Sequence, residues 1–213
     1  MCAPDVAVAA GATNAPPKPL FPEERAAIAR AIDKRRAEFT AGRMAARAAL
    51  ADLGCPPVAI PMAKDRAPIW PAGFTGSISH SNEIAVAIAA TFSAPGLGGF
   101  DGLGVDIEKA TLLEPNLWPT ILRQSERDWL MTQPAHTRGL LAKQLFSIKE
   151  CVYKAQYPTS KTVLGFSAFT VALDPTGHFS ATFQIPCPPF AKGDKLQGQS
   201  RISGGMILST TRL

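Results

Sequence analysis

The sequence lacks a long hydrophobic run, and it therefore predicts no helix that crosses a membrane. Its main apolar stretch, Ile84–Phe92, is less than half of the roughly 20 residues that a membrane-spanning helix needs. The first 19 residues contain no basic segment followed by a continuous apolar one, so they do not resemble a secretory signal peptide. We expect a cytoplasmic protein without a membrane partner.

Cysteine and histidine are scarce and scattered. The chain has four cysteines and three histidines, with no C-x-x-C pair and no histidine at ligand spacing from a cysteine. This distribution predicts neither a zinc site nor a disulfide framework. Reduced thiols in the cytoplasm are the simplest interpretation.

Long segments rich in lysine and arginine are also absent, although the net charge is +5. A mildly basic chain favours an anionic partner, which leaves nucleic acid, a nucleotide cofactor and an acidic protein open. The charges are dispersed and no recognised nucleic-acid motif is present. A non-catalytic module that binds nucleic acid is therefore the weaker alternative, and we expect no nucleic-acid partner.

The length of 213 residues fits one large domain or two small ones, and the residue patterns predict the α+β class. No internal repeat is visible. The predicted elements, in chain order, are a loose arm over residues 3–22, two helices over 22–53 with a joint near Thr40–Gly42 and an end at Asp52–Gly54, a helix or strand at Ile84–Phe92, a turn at Pro95–Gly104, a strand at Leu103–Glu108, a helix at Gly139–Gln156, and strands from Leu164 to the end, including Phe169–Leu173 and His178–Ile185.

Two carboxylates on the predicted strand form a candidate metal site. Asp106 and Glu108 are two residues apart, so their side chains lie on one side of the strand, about 7 Å apart at the backbone. Oxygen ligands of this kind suit magnesium, which shares its shell with waters and substrate phosphates. The pattern D-x-E is common, and a solvated strand face is the structural alternative.

The predicted helix carries a second candidate group. Glu150 and Lys154 are neighbours one turn apart, and Lys149 precedes Glu150. A surface ion pair would have the same spacing. In the functional alternative, Glu150 is a third metal ligand or a proton acceptor, and the two lysines hold phosphate oxygens.

Three further segments offer groups for an anion. Gly76–Ser81, which contains Ser79 and His80, is predicted to be a turn with accessible amides and hydroxyls. Arg43 and Arg47 lie one helical turn apart, and Arg66 lies on a loop. Each of these features also has a purely structural interpretation.

Five motifs follow one another in a fixed order. They are G-R-x-A-A-x-x-A-L at Gly42–Leu50, R-A-P-x-W-P-x-G at Arg66–Gly73, G-S-I-S-H-S at Gly76–Ser81, G-V-D-I-E-K at Gly104–Lys109 and F-S-x-K-E-x-x-Y-K-A at Phe146–Ala155. This succession resembles the enterobactin-synthase-component-D-like branch of the 4′-phosphopantetheinyl transferase family. The resemblance covers about Phe39 to Phe169, and the last two motifs are the most diagnostic.

The resemblance implies a role for each candidate residue. Asp106, Glu108 and Glu150 would bind Mg²⁺, with Glu150 also a candidate base, while Lys149 and Lys154 would contact phosphate or support the site. The expected binding residues for coenzyme A are Arg43, Arg66, Ser79, His80, Lys149 and Lys154, and the expected catalytic residues are Glu150 and Lys154.

The resemblance also implies an activity and an architecture. An enzyme of this family, of the holo-acyl-carrier-protein synthase type, would move phosphopantetheine from coenzyme A to a serine of an apo acyl or peptidyl carrier protein. The expected architecture is two similar α+β halves, residues 21–102 and 103–213, with the site in the cleft between them, a boundary near Gly98–Leu103 and a flexible arm over residues 1–20. We expect a monomer that serves siderophore or secondary-metabolite synthesis. A metal-dependent phosphoesterase that acts on coenzyme A or a nucleotide is the alternative enzyme.

Overall fold

Two compact units, Met1–Val105 and Asp106–Leu213, make up the chain. The computed structural model describes residues 6–16, 19–91 and 102–213. Each unit combines helices with an antiparallel sheet, which confirms the predicted α+β class. In the described segments, no helix is both long enough and apolar enough to span a membrane.

The first unit packs one long helix on a three-stranded sheet. Its elements are β1 (Val6–Ala12), α1 (Pro22–Ala27), α2 (Asp33–Asp52), β2 (Phe74–His80) and β3 (Ile84–Thr91). Strand β3 lies in the middle, paired antiparallel with β1 on one side and β2 on the other. Small buried alanines such as Ala46 and Ala87 allow the helix to approach the sheet closely.

Two predictions for this unit need correction, and one open alternative is resolved. The predicted loose arm is wrong for β1, because the backbone of β1 pairs with Ile84–Ala90 of β3. The predicted turn at Gly76–Ser81 is a strand as far as His80. The apolar stretch that the sequence left undecided is strand β3, since its alanines fill the space under α2.

The joint between the two N-terminal helices lies earlier than predicted. Helix α1 ends at Ala27 and α2 begins at Asp33, so Gly42 is inside α2. A Cβ atom on Gly42 would lie only 3.0 Å from Cγ2 of Ile78. Glycine here serves close packing of α2 on β2, and the propensity rule was misleading. The end of α2 at Asp52, followed by Gly54 at positive φ, confirms the predicted stop.

The second unit packs a 26-residue helix on a five-stranded sheet. Its first strand, β4 (Leu103–Lys109), begins in the last three residues of the first unit. The other elements are α3 (Trp118–Ile121), α4 (Gln124–Thr132), α5 (Ala135–Ser160), β5 (Phe169–Leu173), β6 (His178–Phe183), β7 (Lys195–Ser203) and β8 (Met206–Arg212). The strand order is β4-β8-β7-β6-β5. The apolar side of α5, with Leu145, Ile148 and Val152, is fully buried.

The predicted elements of this unit are confirmed, although α5 extends beyond both predicted ends and β6 stops at Phe183. Strand β4, helix α5 and the C-terminal strands lie where the sequence places them. Residues 92–101, with most of the predicted turn at Pro95–Gly104, lie outside the described residues. The expected boundary near Gly98–Leu103 stays a prediction.

A buried glutamate near a helix start organises the first unit. Glu24 is in the first turn of α1, and its Oε2 accepts a hydrogen bond from the backbone N–H of Phe21 at 3.0 Å. Its Oε1 accepts from Arg47 Nη1 at 2.5 Å and from the N–H of Ile60 at 2.9 Å. One carboxylate thus joins a helix start, α2 and a loop.

The second unit repeats this arrangement. Glu126 is in the first turn of α4, and its Oε2 accepts from the N–H of Arg123 at 2.7 Å and from Lys149 Nζ at 2.6 Å. Its Oε1 accepts from the N–H of Val171 at 2.7 Å. Each unit therefore has a helix-start glutamate, a cation from its long helix and one distant backbone N–H, although the sequence shows no repeat.

Candidate active site

Strand β4 and helix α5 bring opposite charges together in the second unit. Asp106, which is buried, accepts a hydrogen bond at Oδ1 from Lys154 Nζ at 2.7 Å. Glu108, two residues along the same side of β4, accepts at Oε2 from Lys143 Nζ at 2.6 Å. Lysines on α5 therefore neutralise both carboxylates of the D-x-E motif.

Glu150 lies within electrostatic reach of these two carboxylates. Burial raises the pKa of its carboxyl group above the usual value, and the charges of Asp106 and Glu108 raise the pKa further. The ammonium group of Lys154 opposes this increase. We call Asp106, Glu108, Glu150, Lys143 and Lys154 the carboxylate–lysine cluster.

The chemistry of this cluster suits a hard cation, although its side chains are not gathered around one. Within residues 6–16, 19–91 and 102–213, no three histidine, cysteine, aspartate or glutamate side chains are close enough to hold a metal ion. Lysines hold Asp106 and Glu108 instead. The three carboxylates nevertheless offer the oxygen donors that Mg²⁺ prefers, so the donor set fits once the lysines move.

Lys149 is not placed to contact a phosphate. Its side chain is fully buried, and Nζ donates to Glu126 Oε2 at 2.6 Å, to the carbonyl of Ile121 at 2.9 Å and to that of Phe166 at 3.2 Å. Three acceptors use all three ammonium protons. The expected phosphate contact is therefore corrected, and Lys149 supports the unit from inside.

A second candidate group lies in the first unit, around Arg43. The pKa of this guanidinium is lowered to about 10, chiefly by burial and also by the neighbouring Arg35 and Arg47, while the charge of Glu24 opposes the decrease. Its Nε donates to the carbonyl of Ile60 at 2.7 Å, and it lies 4.2 Å from the centre of the Phe39 ring. It remains a cation at neutral pH, held in one orientation.

His80 ends strand β2 beside the helix that carries Arg43. Its Nε2 accepts a hydrogen bond from Arg35 Nη1 at 2.8 Å, because an arginine can only donate. Its Nδ1 lies 3.7 Å from Glu38 Oε2. Arg35 and Glu38 were not predicted from the sequence, where their only signal is a position eight and five residues before Arg43 on the predicted helix.

The remaining expected residues have different settings. Ser79 is buried in β2, whereas Arg66 is exposed at the tip of a small hairpin closed by the N–H of Ala63 and the carbonyl of Ala67 at 2.9 Å. Arg66 adopts φ 72°, a left-handed conformation that costs about 1 kcal/mol in a residue other than glycine. Arg35 connects the surroundings of Arg43 with His80. Asp106, Glu108 and Lys154 all act on Glu150, whereas Lys149 contacts Glu126 instead.

Comparisons with known proteins identify the family. Residues 23–90 match the model of the 4′-phosphopantetheinyl transferase N-terminal domain, and residues 102–199 match that of the 4′-phosphopantetheinyl transferase superfamily. The 4′-phosphopantetheinyl transferase Svp of Streptomyces mobaraensis is 37% identical over 94% of this chain and 82% of its own length. Npt of Nocardia iowensis, with the same description, is 37% identical over 88% of this chain and 86% of its own.

A third relative has a different description and is matched over a smaller share of its length. Enterobactin synthase component D of Salmonella typhimurium is 35% identical over 69% of this chain and 58% of its own length. The family models cover the carboxylate–lysine cluster and the surroundings of Arg43. The chain therefore belongs to the 4′-phosphopantetheinyl transferase superfamily.

Proposed function

We propose that this chain transfers the 4′-phosphopantetheine moiety of coenzyme A to a serine hydroxyl of an apo acyl or peptidyl carrier protein, with release of adenosine 3′,5′-bisphosphate. The observation that carries this proposal is the carboxylate–lysine cluster, which lies within the segment that matches the superfamily. Transfer to a serine breaks the phosphoanhydride bond of coenzyme A and forms a phosphoester bond to the serine oxygen, with adenosine 3′,5′-bisphosphate as the leaving group. The site must therefore bind a diphosphate, place a hydroxyl and accept its proton.

We propose that Asp106, Glu108 and Glu150 hold Mg²⁺. The support is their donor chemistry and the mutual electrostatic influence that raises the pKa of Glu150. The bound ion would neutralise charge on the diphosphate. The lysine contacts to Asp106 and Glu108 must open for this, which leaves Lys154 Nζ available to a phosphate oxygen.

Glu150 is the best candidate for the proton acceptor. A base works best when its pKa is close to the working pH, and burial together with two acidic neighbours raises the pKa of Glu150 in that direction. The positive charge of Lys154 lowers the pKa of Glu150 and so favours its ionised form. Lys154 thus has two proposed roles, in phosphate binding and in tuning Glu150.

The first unit would bind the 3′-phosphoadenosine end of coenzyme A. Arg43 and Arg35 supply fixed cationic donors, and His80 is oriented by Arg35. Arg66 adds an exposed cation at a hairpin tip, and Ser79 is assigned to the same end. We further propose that residues 21–102 and 103–213 act together as one transferase unit.

The proposed cellular context is based on the descriptions of the relatives. Two of them are described as 4′-phosphopantetheinyl transferases, and a third takes part in enterobactin synthesis. We propose a cytoplasmic monomer that activates carriers of siderophore or secondary-metabolite synthesis.

Intact-mass spectrometry of an apo carrier protein tests the proposal. The carrier is incubated with this protein, coenzyme A and Mg²⁺, and we expect it to gain one phosphopantetheine group. Excess chelator should abolish the gain, and Asp106→Asn should reduce it strongly. Release of free 4′-phosphopantetheine with no change in carrier mass would support the phosphoesterase instead. Undiminished transfer in chelator would remove the magnesium assignment alone.

A further inference from the structure

Lys143 has no role in the motifs or in the proposed chemistry, yet it contacts the proposed metal ligand Glu108. Its Nζ donates to Glu108 Oε2 at 2.6 Å, the length of a charge-assisted hydrogen bond. The side chains of Lys143 and Glu108 are only 15% and 27% exposed, so solvent screens the pair less than a surface pair. Lys143 therefore competes directly for a carboxylate that a cation would need.

The same ammonium group has a second partner. Lys143 Nζ lies 4.6 Å from the centre of the Phe146 ring, which is one turn along α5. A lysine can stay on an aromatic face through a cation–π interaction after its carboxylate leaves. Lys143 can thus release Glu108 without losing every favourable contact. We call this reversible contact between Lys143 and Glu108 the latch.

The latch also balances charge within the cluster. The cluster holds three carboxylates and two ammonium groups, with Lys154 on Asp106 and Lys143 on Glu108. Without these lysines, the like charges of Asp106, Glu108 and Glu150 would repel one another and destabilise the folded state. A cation replaces the lysines, so its affinity is reduced by the strength of the contacts that it breaks.

We propose that Lys143 is a positioning residue that holds Glu108 away from the cation until the cation binds, and that it thereby sets the metal affinity of the site. The proposal rests on the metal site of the proposed function. It concerns the binding of the ion rather than the transfer step, and it is measured without coenzyme A or a carrier.

Mn²⁺ binding, followed by electron paramagnetic resonance, tests this role, because Mn²⁺ accepts the same oxygen ligands as Mg²⁺. We expect Lys143→Met to bind Mn²⁺ about tenfold more tightly than the unmutated protein, as loss of one charge-assisted hydrogen bond allows. Lys143→Arg, which keeps the charge and the donors, should bind it with almost unchanged affinity. Lys192→Met removes an exposed lysine from the same unit and serves as the charge-matched control, with no expected effect.

A double-mutant cycle separates a latch on Glu108 from a general effect of positive charge. In a Glu108→Gln background, Lys143→Met should bring no further gain, because the latched carboxylate is gone. A tenfold gain that persists there would overturn the positioning role. So would an unchanged Mn²⁺ affinity together with a lowered melting temperature, since Lys143 would then be only structural.

Two further readouts keep the test decisive. Lys143→Gln is a smaller change that replaces Lys143→Met if the latter does not fold. Mn²⁺ should raise the melting temperature of the chosen variant more than that of the unmutated protein, since tighter binding to the folded state stabilises it more. If neither the unmutated protein nor the Lys143 variants bind Mn²⁺ while chelator-sensitive transfer persists, the latch is wrong and the proposed transferase stands. If transfer also fails, the proposed function is wrong as well.

Discussion

Glu150 combines burial with two acidic neighbours, and this environment has a measurable consequence for catalysis. A carboxylate accepts a proton only when it is ionised, so activity that depends on it falls as the pH drops through its pKa. Because the pKa of Glu150 is raised in the free protein, the acid limb of the kcat/KM profile, which reports the free enzyme, should lie above the usual range for glutamate.

We predict that Glu150→Gln lowers kcat by about 10²-fold or more, since it removes a general base. Glu114→Gln, which changes an exposed glutamate of the same unit, is the control and should leave kcat unchanged. Carrier modification under saturating substrates gives the measurement, and circular dichroism verifies the fold. A kcat near that of the unmutated enzyme would remove Glu150 from the chemistry.

Arg43 differs from Glu150 because it is assigned to a part of the coenzyme that does not react. We predict that Arg43→Ala raises KM for coenzyme A more than it lowers kcat, since its contact is shared by ground and transition states. The KM for dephospho-coenzyme A, which lacks the 3′-phosphate, should change little on the same mutation. An equal loss with both substrates would show that Arg43 does not meet that phosphate.

At the scale of elements, each long helix is fixed to its unit through a buried carboxylate near the start of another helix. Glu24 receives Arg47 of α2, and Glu126 receives Lys149 of α5. Both carboxylates also accept hydrogen bonds from backbone N–H groups that would otherwise be buried without a partner. Helix α5 therefore holds Glu150 and Lys154 at a fixed position beside β4.

Lys149→Met tests this anchoring. We predict that it lowers the free energy of unfolding by about 3–5 kcal/mol, because it leaves the Glu126 carboxylate buried without its counter-charge. Urea denaturation gives the measurement. Adding Glu126→Gln should restore part of the loss, and KM for coenzyme A of the folded variant should stay unchanged. A large rise in that KM with intact stability would instead return Lys149 to phosphate binding.

At the scale of the whole molecule, the net charge of +5 bears on the encounter with carrier proteins, whose recognition surface we expect to be acidic. Long-range attraction between exposed charges fades once the screening length falls to about 8 Å near physiological ionic strength. We predict that salt raises KM for the carrier more than it changes kcat. Transfer is measured at several salt concentrations with coenzyme A saturating. A carrier KM that does not change with salt indicates docking through apolar contacts.

Much of the candidate site could be predicted from the sequence because its signals are local. The alternation along β4 places Asp106 and Glu108 on one side of a strand, and the helical spacing of α5 pairs Glu150 with Lys154. The order of the motifs indicates the family. These properties depend on the period of a strand or a helix and on residues a few positions apart, so the sequence by itself determined them.

The tertiary structure decided what long-range contacts control. Lys149 and Lys154 look equivalent in sequence, yet one is buried on Glu126 and the other reaches Asp106. The latch between Lys143 and Glu108 joins residues 35 positions apart, and no local pattern marks it. Strand β1 likewise depends on its pairing with β3. The physical reason is that burial and partner choice depend on which elements pack together, and local periodicity carries no information about that packing.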